Sequence, residues 1–266
     1  MSYQLQSICS RKNRMKNLLI LYPHGLGDCI LLTPALREFY NTTGNKASIA
    51  MLERFKTAEL YEHNPYVKKV YFTKDAWSDY PDSNVGFRTL YHEWKTFAKE
   101  NSFTGFVMPM HSAPMSKIEI NLRTLGLHHI KNYSAEIYTS AEDRELAKSI
   151  ITKIVGDEPF GFVQTHTGVE RKNLIEGYGQ KWLLNNKGLK SCIEVGKHFS
   201  YLDYNINVQF EIMRHAAAVC LPDSVFYHAC HAINKTIDLV YFGRGEEVYE
   251  RVKHIQGSEE NVVYKI

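Results

Sequence analysis

An aspartate that closes a glycine-containing turn ahead of a helix can take a proton from a substrate or cap the helix. This chain has one in Tyr22-Pro-His-Gly-Leu-Gly-Asp28. Gly25 and Gly27 permit positive φ and a close approach of backbone to ligand, and the amides of a helix N-terminus favour anions. Capping is the plain alternative for Asp28. The spacing is not the dinucleotide turn G-x-G-x-x-G, because Ile30 stands three residues after Gly27, and the Gly-Lys-Ser/Thr of a P-loop is missing.

A second acidic turn, Leu221-Pro-Asp-Ser224, ends an apolar run and precedes a helical pattern. Asp223 and Ser224 stand where helix amides and the helix dipole can hold a diphosphate, with capping again the alternative. Beyond it lie His228, Cys230 and His231, with Cys220 nearby. No second close pair completes a metal site, and the two histidines stand at i, i+3 on an apolar helix. Packed histidines are expected there, and no metal.

Such residues need elements to place them, and the chain alternates strand and helix patterns. Apolar runs at 17–21, 47–52, 67–72 and 105–108 predict strands, with helices over 28–40, 54–63, 87–100 and 116–125. Ser140-Ala-Glu-Asp143 opens a helix in capping-box style, with Asp for the usual Glu; it ends at Gly156, before Pro159. Strands at 159–163, 218–221 and 236–242 and helices at 207–217 and 224–233 follow, while 183–203 shows no readable pattern. Repeated β-α-β units imply parallel sheets covered by helices. Ligands of such sheets gather at the carboxyl ends of the strands. The segments 22–28, 109–114, 164–182, 222–228 and 243–247 therefore matter most. The expected organisation is an extension over 1–15, an N-terminal lobe over 16–156 and a C-terminal lobe over 157–266.

The bulk numbers fit this α/β class. The chain has 266 residues, 44% of them hydrophobic and 23% charged, enough for a sizeable core. A net charge of +3 is well below the footprint of a dedicated nucleic-acid binder. The five cysteines (Cys9, Cys29, Cys192, Cys220 and Cys230) are odd in number and form no CxxC, which implies a reducing, cytoplasmic setting. Arg11, Lys12, Arg14 and Lys16 precede an apolar stretch, but Leu18–Leu21 has only a strand's length, too short for a signal peptide or a membrane span.

The string Ile20-Leu-Tyr-Pro-His-Gly-Leu-Gly-Asp-Cys-Ile-Leu-Leu-Thr-Pro-Ala-Leu-Arg37 resembles, over 18 continuous residues, the opening of glycosyltransferase family 9, the heptosyltransferase-like family. Residues 218–232, followed by Asp238-Leu-Val-Tyr-Phe-Gly243, resemble that family's strand-Asp-Ser/Thr-Gly-x-x-His block, with Val225 where Gly is usual. Gln164-Thr-His-Thr-Gly168 is similar to its phosphate-contacting hydroxyl loop, Lys181-Trp182 to its Lys-x-Trp segment, and His111-Ser112 to its acceptor-side loop. The resemblance implies a GT-B fold, two Rossmann-like lobes with parallel sheets and an interlobe cleft. It makes Asp28 the catalytic base. It places the donor on Thr165, His166, Thr167, Lys181, Asp223, Ser224 and His228, and the acceptor near His24, Gly25, Gly27, His111 and Ser112. Arg171 and Lys172 compete with Lys181 for the leaving diphosphate, whose growing charge a cation stabilises. The family's Gly-x-x-x-Glu strand and its helix are not readable between Lys181 and Asp223, which implies a shortened C-terminal lobe.

The function so implied is an inverting, metal-independent glycosyltransferase. It needs no cofactor beyond its co-substrate, a nucleotide-diphosphate sugar carrying heptose or a related sugar. The acceptor is a hydroxyl of a surface glycan or lipid-linked glycan, as in lipopolysaccharide or capsule biosynthesis, and a peripheral contact with the inner membrane stays open. Two alternatives remain: a weakened nucleotide-sugar-binding module of the same fold, and a transferase acting on modified DNA.

Overall fold

The computed structural model describes residues 16–110, 115–199, 203–252 and 259–264. The expected extension over 1–15, and His111 and Ser112, lie outside the described residues. The chain divides into two compact units, residues 1–56 with 64–133 and residues 57–63 with 134–266.

The first unit is built on strands β1 (Leu18–Tyr22), β2 (Ala47–Leu52), β3 (Val67–Thr73) and β4 (Gly105–Val107), in the all-parallel order β3-β2-β1-β4. All residues of β1 and β2 are buried, which is why they read as unbroken apolar runs. Helices α1 (Leu26–Thr43), α2 (Ser83–Glu100) and α3 (Lys117–Thr124) connect and cover them. The helix expected over 54–63 is a short 3-10 turn, Glu53–Ala58, with no buried residue to hold a longer amphipathic face.

The second unit opens with α4 (Ala141–Val155), whose capping box forms as expected: Ser140 Oγ accepts from Asp143 N–H, and the Asp143 carboxylate accepts from Ser140 N–H. Strands β5 (Phe160–Gln164), β6 (Ser191–Val195), β7 (Ala218–Pro222), β8 (Leu239–Tyr241) and β9 (Val262–Val263) form a parallel sheet in the order β6-β5-β7-β8-β9. Its helices are α5 (Tyr178–Lys187), α6 (Ile206–His215), α7 (Val225–Ala232) and α8 (Glu246–Val252).

Two expectations change. The boundary expected at Gly156 falls after α4, whereas α4 packs on α6 and β6 and so belongs with the second unit from Ser134 onward. The unreadable stretch 183–203 contains the end of α5 and all of β6, and β6 carries Glu194. A Glu-bearing strand followed by a helix therefore does lie between Lys181 and Asp223. Among the described residues, this sheet matches five positions of the six-stranded order 3-2-1-4-5-6, with β6 at the edge where the sixth would stand.

Candidate functional site

In the first unit, β1 delivers its carboxyl end to the turn at 23–25, and α1 starts at Leu26. Gly25 takes the N-cap position with φ −63° and ψ 160° and no side-chain cap, so Asp28 lies inside the first turn and is not the cap. Gly25 and Gly27 are absent from the positive-φ positions, contrary to the expected use of their freedom. The Asp28 carboxylate is held from elsewhere: Lys117 Nζ, at the head of α3, lies 2.5 Å from its Oδ1. Ser116 fixes that helix start by accepting from Glu119 N–H at 3.2 Å.

Buried hydrogen bonds lock this corner. Tyr22 Oη donates to the Asp28 carbonyl at 3.0 Å, and Asn121 Nδ2 donates to Tyr22 Oη at 3.1 Å and to the Leu31 carbonyl at 3.0 Å. Burial, reinforced by the charge of Asp28, pushes the Tyr22 phenol well above its ordinary range, so it stays a donor. His24 Nε2 lies 3.0 Å from the Pro109 carbonyl, an acceptor only, so Nε2 carries the hydrogen. Burial holds the His24 imidazole below its ordinary value, against the pull of Asp28. The turn thus presents a carboxylate positioned by an ammonium beside a neutral imidazole, an arrangement suited to orienting a hydroxyl and removing its proton.

In the second unit, Asp223 follows β7 and is 2% exposed. Arg244 Nε donates to its Oδ2 at 2.9 Å with Nη2 also in contact, and Lys172 Nζ lies 3.2 Å from Oδ2 and 3.1 Å from the Asp223 carbonyl. Burial alone would raise the Asp223 carboxyl, but Lys172, Arg244 and His228 outweigh it and leave the group below the ordinary carboxylate range. Ser224 caps α7 by accepting from Phe226 N–H at 3.2 Å, and donates to Gln164 Oε1 at 2.5 Å. Two cations therefore converge on the N-terminal end of α7.

The other expected donor residues divide. Thr165 is buried and donates to the Glu194 carboxylate, which also accepts from Gln180 Nε2 at 2.7 Å. Thr167 braces its own loop, its N–H donating to Asn173 Oδ1 at 2.7 Å and its hydroxyl to the Val169 carbonyl at 2.9 Å. His166 is exposed. Lys181 is exposed on α5, and among the described contacts it is Lys172 and Arg244 that reach Asp223. His228 is buried in α7, its charge acting on Asp223.

The neighbouring histidine and cysteines are packed. His231 Nε2 lies 3.1 Å from Glu259 Oε1, and Cys230 Sγ lies 3.4 Å from Met213 Sδ. No group of three side chains suited to a metal occurs among the described residues. The sequence reading missed Lys117, Glu194 and Arg244. Arg244 lies in one of the post-strand segments marked by topology; Lys117 lies at the start of the helix expected over 116–125, with no spacing that tied it to Asp28.

No protein-family profile matches the chain, and no curated protein matches it by sequence. Solved structures do match in fold. A glycosyl transferase of family 9 from Veillonella parvula aligns over 93% of this chain and 86% of its own, with TM-score 0.65 and 11% identity. The ADP-heptose lipopolysaccharide heptosyltransferase II of E. coli aligns over 92% and 89%, with TM-score 0.65 and 8% identity. E. coli heptosyltransferase WaaC with ADP aligns over 93% and 94%, with TM-score 0.55 and 14% identity. The chain has the α/β fold of these enzymes, two Rossmann-like lobes with parallel sheets.

Proposed function

We propose that the chain is a glycosyltransferase that moves a sugar from a nucleotide-diphosphate donor to an acceptor hydroxyl with inversion at the anomeric carbon. The observation that carries this reading is Asp28, set at the carboxyl end of β1 and gripped by Lys117 at 2.5 Å. Asp28 takes the proton of the acceptor hydroxyl as that oxygen attacks the anomeric carbon from the face opposite the diphosphate. Proton transfer is late, completing once the new C–O bond has made the attacking oxygen acidic. Lys172 and Arg244, with the amides at the start of α7, receive the charge that grows on the departing diphosphate. These two cations replace Lys181 in the proposed donor site and are why the reaction is written without a metal.

The donor is proposed to be an ADP-linked heptose or a related sugar, because the matching E. coli structures are described with ADP and with ADP-2-deoxy-2-fluoro heptose. The acceptor is proposed to be a surface or lipid-linked glycan at the cytoplasmic face of the inner membrane. No described helix is long and apolar enough to cross a membrane. Contact with a lipid-linked acceptor is proposed to be peripheral.

Asp28→Asn should lower transfer by about 10²–10⁴-fold, the usual share of a positioned base, while leaving ADP binding by calorimetry unchanged. Near-normal turnover by this variant would sink the assignment. Val225 in place of the family's usual Gly motivates the weakened-module reading, and a nucleotide-sugar panel in a thermal-shift assay separates the two. Stabilisation by a donor that is slowly hydrolysed or transferred favours the enzyme, and stabilisation by a donor with no turnover favours the module.

A further inference from the structure

Trp77 stands 66% exposed at the tip of a braced turn. The Asp79 carboxylate accepts from Asp75 N–H at 2.7 Å, the Asp75 carboxylate accepts from Trp77 N–H at 2.9 Å, and Asp79 N–H donates to the Asp75 carbonyl at 3.0 Å. Arg54 Nη1 meets Asp75 Oδ2 at 2.8 Å. On the inner side Gly86 of α2 comes so close that a Cβ there would sit 2.6 Å from the Ala76 carbonyl oxygen. A scattered surface indole needs no explanation, but this one is held out on a rigid mount.

Its ring meets Phe87 at 86°, with centroids 5.4 Å apart, a contact that covers at most one face of the indole. Phe87 lies in turn against His24, with centroids 6.3 Å apart, and His24 belongs to the Asp28 turn. A line of rings within the first unit therefore runs from an open indole to the proposed base. Met110, 45% exposed, follows the Pro109 whose carbonyl holds His24.

We propose that Trp77 is the acceptor platform, stacking one face of a neutral sugar ring while that acceptor's hydroxyl is presented to Asp28. The inference rests on the glycosyltransferase reading and adds the acceptor's chemical class. The slightly positive C–H bonds on a pyranose face suit the negative face of an indole. With Asp75 paired to Arg54, residues 74–82 present Asp79 and Asp82 against Lys74, a net charge of −1. That balance repels a phosphate backbone and offers acceptors to sugar hydroxyls. A modified-DNA acceptor is disfavoured for the same reason.

Trp77 is one of three tryptophans, so Trp94→Phe and Trp182→Phe together leave it as the sole indole. Its emission would be titrated with methyl hexosides and heptosides and, separately, with a single-stranded oligodeoxynucleotide. A saturable change with a glycoside and none with the oligonucleotide is expected. A response to the oligonucleotide alone, or to neither, overturns the proposal. Acrylamide quenching of the unsubstituted chain, which reaches the exposed Trp77 first, gives the same readout should the double variant fail to fold. No donor is present in these titrations, so they stand apart from any failure of transfer itself. In the transfer assay, Trp77→Ala should raise the acceptor KM about tenfold, and Trp77→Tyr should recover most of the loss. An acceptor KM unmoved by Trp77→Ala overturns the platform while leaving the transferase reading intact.

Discussion

The position of Asp28 was legible because the elements that flank it are local: an apolar strand, a turn and a helix start within about ten residues. Lys117 was not, because it meets Asp28 across 89 residues of chain, and only the pairing of β1 with β4 brings α3 to that corner. Arg244 escaped for a related reason, since its aspartate lies 21 residues back on the preceding strand end. Lys117→Met should slow transfer at least tenfold by releasing Asp28, with the acceptor KM changed less than kcat, as steady-state kinetics would show. Asp223 supports a pH prediction. Its folded-state carboxyl is depressed, so it adds stability above the ordinary carboxylate range and loses it as pH falls through the folded value. The melting temperature should therefore drop between pH 5 and pH 3 more steeply in the native chain than in Asp223→Asn. Parallel curves would show that the ion cluster contributes nothing. Removing both cations in Lys172→Met/Arg244→Met strands a buried carboxylate and should cost about 3–5 kcal/mol in urea unfolding.

At the scale of elements, the buried strands announced themselves and the half-polar ones did not. β1, β2, β5 and β7 are fully buried and mostly apolar, with Ser48 and Gln164 the polar exceptions, whereas β6 reads Ser-Cys-Ile-Glu-Val, with its carboxylate drawn inward by Thr165 and Gln180. In α5 only Gly179 and Leu183 are buried, and the helix enters through Gly177 at φ 72°. Two buried positions are too few for a helical period to show. Gly243 shows how tightly neighbouring elements are keyed: a Cβ there would overlap the Arg171 carbonyl oxygen and come within 2.9 Å of the Tyr241 ring. Gly243→Ala should therefore cost about 1–3 kcal/mol and, by shifting Arg171, move Lys172 off Asp223. Weakened ADP binding would report that shift, and unchanged ADP affinity would contradict it. Ser140→Ala removes one arm of the α4 capping box and should cost about 1 kcal/mol, with ADP binding untouched.

At the scale of the whole chain, each unit is built on a parallel sheet, and that much followed from the alternating pattern alone; the proposed site residues Asp28 and Asp223 stand just beyond strand ends. The division between units was misread because Gly156 and Pro159 signal only the end of a helix; which sheet α4 covers is decided by its packing on α6. If the second unit holds the donor, ADP at 100 times its Kd should stabilise the chain by about 2.7 kcal/mol, and Lys172→Met/Arg244→Met should abolish that gain. A gain that survives in the variant would move the diphosphate elsewhere.

β6 forms one edge of the second sheet. One side of the second sheet stops a strand short, with His198 Nδ1 taking the Glu194 N–H at 2.9 Å where another strand could have run. Within the second unit, β5 and β7 separate β6 from β8, after which Arg244 reaches Asp223. A change in the length of the link after β6 would therefore fall at an edge of the second sheet, away from the β7–β8 end where Asp223 and Arg244 meet.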